Sequence, residues 1–96
     1  SMRSNTAWYW SSLVVSCASQ EEVDHYWYGL LEGGGRESRC GWLVDPWGIS
    51  WQVVPRRLHE LLGGPDPDGA QRAMAAMLSM QRLDVAALEA AYDGRA

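Results

Sequence analysis

From Ser11 to Cys17 the chain alternates, with Leu13, Val15 and Cys17 on one side and Ser12, Val14 and Ser16 on the other. A period of two with β-branched residues in the middle predicts a half-buried strand. At Ser19 the period changes. Ser19 stands three residues before Glu22, the spacing of a capping box, and Val23, Tyr26, Trp27, Leu30 and Leu31 recur at helical intervals up to Gly33-Gly34-Gly35. An amphipathic helix that starts at the cap and ends at the glycines accounts for this run. Arg36 to Arg39 is short and polar enough for a brief edge strand, and Cys40 to Val44 leads into Asp45-Pro46-Trp47-Gly48. Pro46 presets the second position of a type I turn, Asp45 can accept from the turn's own amides, and Gly48 tolerates the exit geometry. These residues predict the corner of a β-hairpin. Along the strand after it, alternation sends Ile49, Trp51 and Val53 to one face and Ser50, Gln52 and Val54 to the other.

Past Pro55 the pattern is helical. Arg56 to Leu62 reads as a helical turn closed by Gly63-Gly64, and Asp66-Pro67 places a cap ahead of a proline at the first helical position. Ala70 to Met80 is rich in helix formers, and a further helix starts from a cap at Asp84. The predicted organisation is therefore an extension over 1–10, a β-rich module with one covering helix over 11–55 and a helical tail over 56–96. Ser1 and Met2 read as an expression-tag remnant within that extension.

Composition narrows the partners. Ninety-six residues support one domain with a modest core, and a 47% hydrophobic content with six Trp, four Tyr and no Phe favours a packed globular domain over disorder. The net charge is -4, and the eight basic residues are all Arg and scattered, so the chain offers no footprint for a nucleic acid. No apolar run reaches the roughly 18 residues of a membrane span and no secretory leader opens the chain, which predicts a cytoplasmic protein with no membrane partner. Cys17 and Cys40 have no metal-like spacing and fall within expected strands, so both are read as reduced core thiols.

The capping-box helix Ser19 to Leu31, the strand Cys40-Gly41-Trp42-Leu43, the turn and strand Asp45 to Gln52 with Val53-Val54-Pro55, and a tail with Met74, Met77, Leu78 and Asp84 to Ala91 together resemble a known family. It is the PhnB-like family, labelled 3-demethylubiquinone-9 3-methyltransferase, of the vicinal oxygen chelate (glyoxalase and bleomycin-resistance) superfamily. The likeness extends from Ser11 to Ala91. It implies an α+β fold, a single βαβββ module with a helical C-terminal tail, in which the helix covers one side of a curved sheet and the other side forms half of an open cup. The superfamily builds its site from two such modules, in tandem or across a dimer. One module in this chain implies a homodimer, or a preceding half outside it.

In metal-using relatives a module can supply a His near the start of its first strand and a Glu on its last, seven residues after the turn aspartate. Gln52 occupies that Glu position and Ser12 falls where the His would be. A neutral hydroxyl and a carboxamide are weak divalent ligands, so neither a catalytic metal nor another cofactor is expected. Ser12, Ser16, Ser50 and Gln52 are the candidate cup face, able to bind a small organic ligand. For Gln52 a structural role, satisfying neighbouring backbone, stays open beside that one.

Other motifs have simpler readings. Trp51 shares the face of Ile49 and Val53 and should pack under the helix. Trp47 at the turn tip and the Trp8-Tyr9-Trp10 cluster suit a subunit contact. His25 and His59 are surface residues, Glu21, Glu22 and Asp24 complement the helix dipole, and Met74, Met77 and Met80 form a packing row. The glycine run follows a helix, so it is no phosphate loop. Two further functions stay open. One is the enzyme of the family label, a methyl transfer or a glyoxalase-like lyase or isomerase step, although the chain carries no glycine-rich strand-to-helix nucleotide site. The other is an assembly module with no ligand.

Overall fold

A computed structural model of the chain describes residues 12–95. The Trp8-Tyr9-Trp10 cluster and the rest of the predicted extension lie outside the described residues. Strands β1 (Ser12–Cys17), β2 (Arg36–Glu37), β3 (Trp42–Val44) and β4 (Ser50–Pro55) form one mixed sheet in the order β1-β4-β3-β2. Helix α1 (Gln20–Leu31) lies between β1 and β2 in sequence, and α2 (Arg56–Leu62), α3 (Pro67–Leu78) and α4 (Val85–Tyr92) follow β4. This is the α+β, βαβββ arrangement with a helical tail.

The topology sets the helix length. β1 and β2 occupy opposite edges, three strand spacings or about 14 Å apart, and the 12 residues of α1 extend about 18 Å. The helix can therefore carry the chain diagonally across the sheet. The β2-β3-β4 meander then returns it antiparallel, strand by strand, until β4 lies parallel to β1.

Ser19 caps α1, its side chain accepting from the Glu22 N–H at 3.2 Å. The returning bond of the capping box lands one residue early: the Ala18 N–H donates to Glu22 Oε1 at 2.7 Å. Val23 and Trp27, one turn apart, are fully buried against Cys17, Leu43 and Val53, with Val15, Leu30, Leu31 and Trp51 around them. Tyr26, expected on the same stripe, is 42% exposed. It lies about 100° around the helix from Trp27, and a sheet whose outermost strand has two residues accepts only the narrower stripe.

A second core lies at one end of the sheet. Val54 meets Leu58 and Leu61 of α2, Ala73 of α3, Leu83, and Leu88 of α4. Met77 and Met80 pack against this core while Met74 is exposed, so the methionine row divides between inside and outside. Asp66 and Asp84 cap α3 and α4 as expected, and Pro67 opens α3.

The tail is bound into the module by polar contacts. The Gln20 side chain donates to Leu83 O at 3.0 Å and accepts from the Val85 N–H at 2.7 Å. Arg82 pairs with Asp24 at 2.7 Å, and its guanidinium lies over the Tyr28 ring. The backbone N–H groups of Cys40 and Gly41 donate to Met80 O and Gln81 O, each at 2.8 Å. Cys40, expected within a strand, is instead in the corner that precedes β3, with φ +56°. Backbone bonding to the tail holds it there. No helix among the described residues is long and apolar enough to cross a membrane.

Gly41 (φ +82°) has no room for a side chain, because a Cβ would stand 2.9 Å from the Val53 carbonyl oxygen. Gly48 has a similar φ of +90° but open space around it. Gly41→Ala should therefore cost about 2 to 4 kcal/mol, and Gly48→Ala about 1 to 2 kcal/mol, the latter from backbone conformation alone. Urea unfolding of both variants checks this, and equal losses would mean that crowding at the corner contributes nothing.

Candidate functional site

The two faces of the sheet have different fates. On the helix side Leu43 lies opposite Trp51, and Val15 beside Val53. On the other side the register forms three rows: Ser12, Ser50 and Val44; Val14, Gln52 and Trp42; Ser16 and Val54. The alternation expected along β4 is present, with Gln52 on the face away from α1.

Exposure along this second face is graded. Val54 is only 5% exposed, sealed by the tail, whereas Val14 on the outer strand is 65% exposed. Ser50, Gln52, Trp42 and Val44 are half-buried, and Ser16 is exposed at the edge. Ser12 has its backbone in β1 beside Ser50. Ser50, Gln52 and Ser16 thus share one face, one in each of its three rows, and the Ser12 backbone is in register with Ser50. Sequence reasoning did not include Trp42, although its alternation with Leu43 was available.

Gln52 Nε2 donates to Cys40 O at 3.4 Å, the long end of hydrogen-bond range. Its Oε1 accepts no bond among the described residues. The amide is tethered to the corner that carries the tail and keeps an acceptor for a further partner.

Asp45 sets the register that delivers Gln52. Its backbone closes the turn, with the Gly48 N–H donating to Asp45 O at 3.0 Å and the Asp45 N–H donating to Ile49 O at 2.9 Å. Its Oδ1 accepts from the Trp47 and Ile49 amides at 2.9 and 3.0 Å, and its Oδ2 from the Trp51 indole at 2.9 Å. The carboxylate is 7% exposed. The Trp51 bond, foremost, holds its pKa below the ordinary aspartate value; burial opposes this and the Ile49, Trp47 and Gly48 amides add to it. The turn bonds follow from the Asp-Pro-x-Gly sequence, whereas the indole bond depends on folding Trp51 back toward the turn.

Reactive groups elsewhere are muted. Cys17 is buried, and burial, then Glu22, raise its pKa while Arg56 opposes them, so the thiol stays neutral. His25 and His59 are exposed. Trp47 stands 83% exposed at the hairpin tip.

A βαβββ module with one face packed under a helix and the other open is glyoxalase-like in class. The chain belongs to the 3-demethylubiquinone-9 3-methyltransferase family, whose model matches residues 3–54, just over half of its length. That match takes in β1, α1, β2, β3 and all of β4 but its last residue, and stops short of the tail. No curated protein matches the chain.

The residues present do not fit a divalent metal of the kind the superfamily uses. Among the described residues no three His, Cys, Asp or Glu side chains are grouped to hold one, and the open face offers hydroxyls and one amide. A nucleotide site of Rossmann type has no counterpart either, since β1 joins α1 through Ala18-Ser19 without a glycine.

Asp45 is favoured in its charged form by the fold. Its contribution to stability is therefore complete above the unfolded carboxylate pKa of about 3.9 and is lost as pH falls through the lower folded value. The gap in urea midpoint between the native chain and Asp45→Asn should be widest above about pH 5 and narrow below about pH 4. A gap constant across that range would show that the charge has no part in it.

Proposed function

We propose that this chain forms half of a small-molecule-binding cup, completed by a second copy, with Ser12, Ser16, Ser50 and Gln52 on its floor and no catalytic metal. The observation that carries this reading is the half-buried Gln52 amide, centred on the open face with an acceptor oxygen that no other described residue engages. A purely structural glutamine would be expected to spend its polar atoms on short bonds to neighbours. The 3.4 Å tether uses one donor weakly.

Dimerisation is supported by the outer strand. Among the described residues β1 pairs only with β4, and Leu13 and Val14 are exposed along it. An apolar, unpaired edge invites another chain. Trp47 adds an exposed aromatic of the kind that anchors subunit contacts. In this reading the ligand is bound between two Gln52-bearing halves, and the protein works in the cytoplasm. The methyl transfer in the family's description has no support in this module, and calorimetry with S-adenosylmethionine should register no binding; micromolar affinity would reverse that view.

Size exclusion with light scattering should give twice the chain mass. A small-molecule screen by thermal shift should find ligands whose stabilisation falls at least tenfold in apparent affinity for Gln52→Ala, about 1.4 kcal/mol. A stable monomer, or ligands indifferent to Gln52→Ala, would remove the proposed cup.

A further inference from the structure

The ligand class can be argued from Trp42, given the reading above that the open face binds a small molecule. Trp42 is a large aromatic that belongs to neither core: it is absent both from the set packed under α1 and from the set packed with the tail. Its backbone explains where its side chain goes. The Trp42 N–H donates to Arg39 O at 3.0 Å and its carbonyl accepts from the Ser38 N–H at 2.9 Å, so both groups are spent on the side away from β4. Opposite Gln52, Trp42 is then the non-hydrogen-bonded member of an antiparallel pair, where Cα atoms approach to about 4.5 Å and side chains come closest.

The polar atoms of this pair are left open in a complementary way. No side-chain nitrogen or oxygen is buried without a partner among the described residues, and the Trp42 Nε1 makes no hydrogen bond there. The indole N–H therefore reaches the surface. Beside it Gln52 Oε1 is an acceptor that no described residue engages. Val14 completes the row on the other flank, and the tail stands as a wall at the Val54 end. The row bears no charge. The nearest cation in the register is Arg36, opposite Val44 on the outermost strand, one strand over and two residues along from Trp42.

We propose that this row takes a flat, uncharged aromatic molecule carrying a hydroxyl, laid on the Trp42 indole and donating its proton to Gln52 Oε1. An indole face across Gln52 from an aliphatic side chain favours a ring over a flexible chain, because stacking adds to area burial without freezing ligand torsions. An uncharged row offers a carboxylate or phosphate no compensation for its lost hydration.

The test uses the full chain and 2-naphthol as probe, with decahydro-2-naphthol as its saturated counterpart and 2-naphthoate as its charged one. Proton–nitrogen correlation spectra should show 2-naphthol shifting the Trp42 indole and Gln52 amide signals. Trp42→Leu and Gln52→Ala should each weaken it about tenfold and Trp42→Phe much less, since a phenyl ring can still stack. Circular dichroism confirms that each variant is folded. If the saturated or charged analogue binds this row as tightly as 2-naphthol, the aromatic assignment falls and the cup survives. If none of the three perturbs the row in the folded protein, the cup itself falls.

Discussion

The Cys40–Gly41 corner is the constraint on which the rest of the molecule depends. Two successive residues with positive φ turn the chain into β3, and their N–H groups, aimed away from the sheet, hold the Met80–Gln81 backbone. The Gly41 carbonyl meanwhile accepts from the Val53 N–H at 2.8 Å. One dipeptide thus joins the sheet to the tail, and it does so with backbone groups that would otherwise be left unpaired in a half-buried position. Cys40 accepts a left-handed conformation that a non-glycine residue adopts at a cost of order 1–2 kcal/mol, which persists because the bonds on both sides over-determine it.

From that corner the two cores divide the labour. The first, around Trp27, fixes which face of the sheet is covered, and the Trp27 indole donating to Glu37 Oε2 at 2.9 Å draws the short β2 strand to the same side. The second, around Val54, Leu83 and Leu88, closes one end of the opposite face. What the described elements leave uncovered is a strip two rows deep. Its central pair is Gln52 and Trp42, and its edge is β1. The surface ion pairs of the tail, such as Arg57 with Glu60 and Glu89, lie between well-exposed side chains and add little to this division.

Family membership and the open strip bear on function in different ways. The family match covers the module, so it accounts for the sheet, the helix and the turn. It says nothing of the tail, which walls off the Val54 end and receives the corner's hydrogen bonds. The chemistry of the strip is set by what its rows contain: hydroxyls, one amide, one indole and aliphatic side chains. Such a surface presents shape and neutral hydrogen-bonding groups. Its described residues are uncharged in their ordinary forms.

Much of the fold was legible in the residues because local rules and global packing agree. Period-two alternation placed Gln52 and Trp51 on opposite faces, Ser19, Asp66 and Asp84 marked three helix starts, and Asp45-Pro46 marked the hairpin. These signals act over a few residues, so the sequence by itself determined them. Tertiary structure alone decided the exposure of Tyr26, the division of the methionine row, the corner at Cys40 and the indole bond to Asp45. It also decided that Trp42 joins Gln52 and that the tail seals one end of their face. Each of those depends on partners far along the chain, Cys40 with Met80 and Val54 with Leu88, and periodicity says which way a side chain points but not what will stand opposite it.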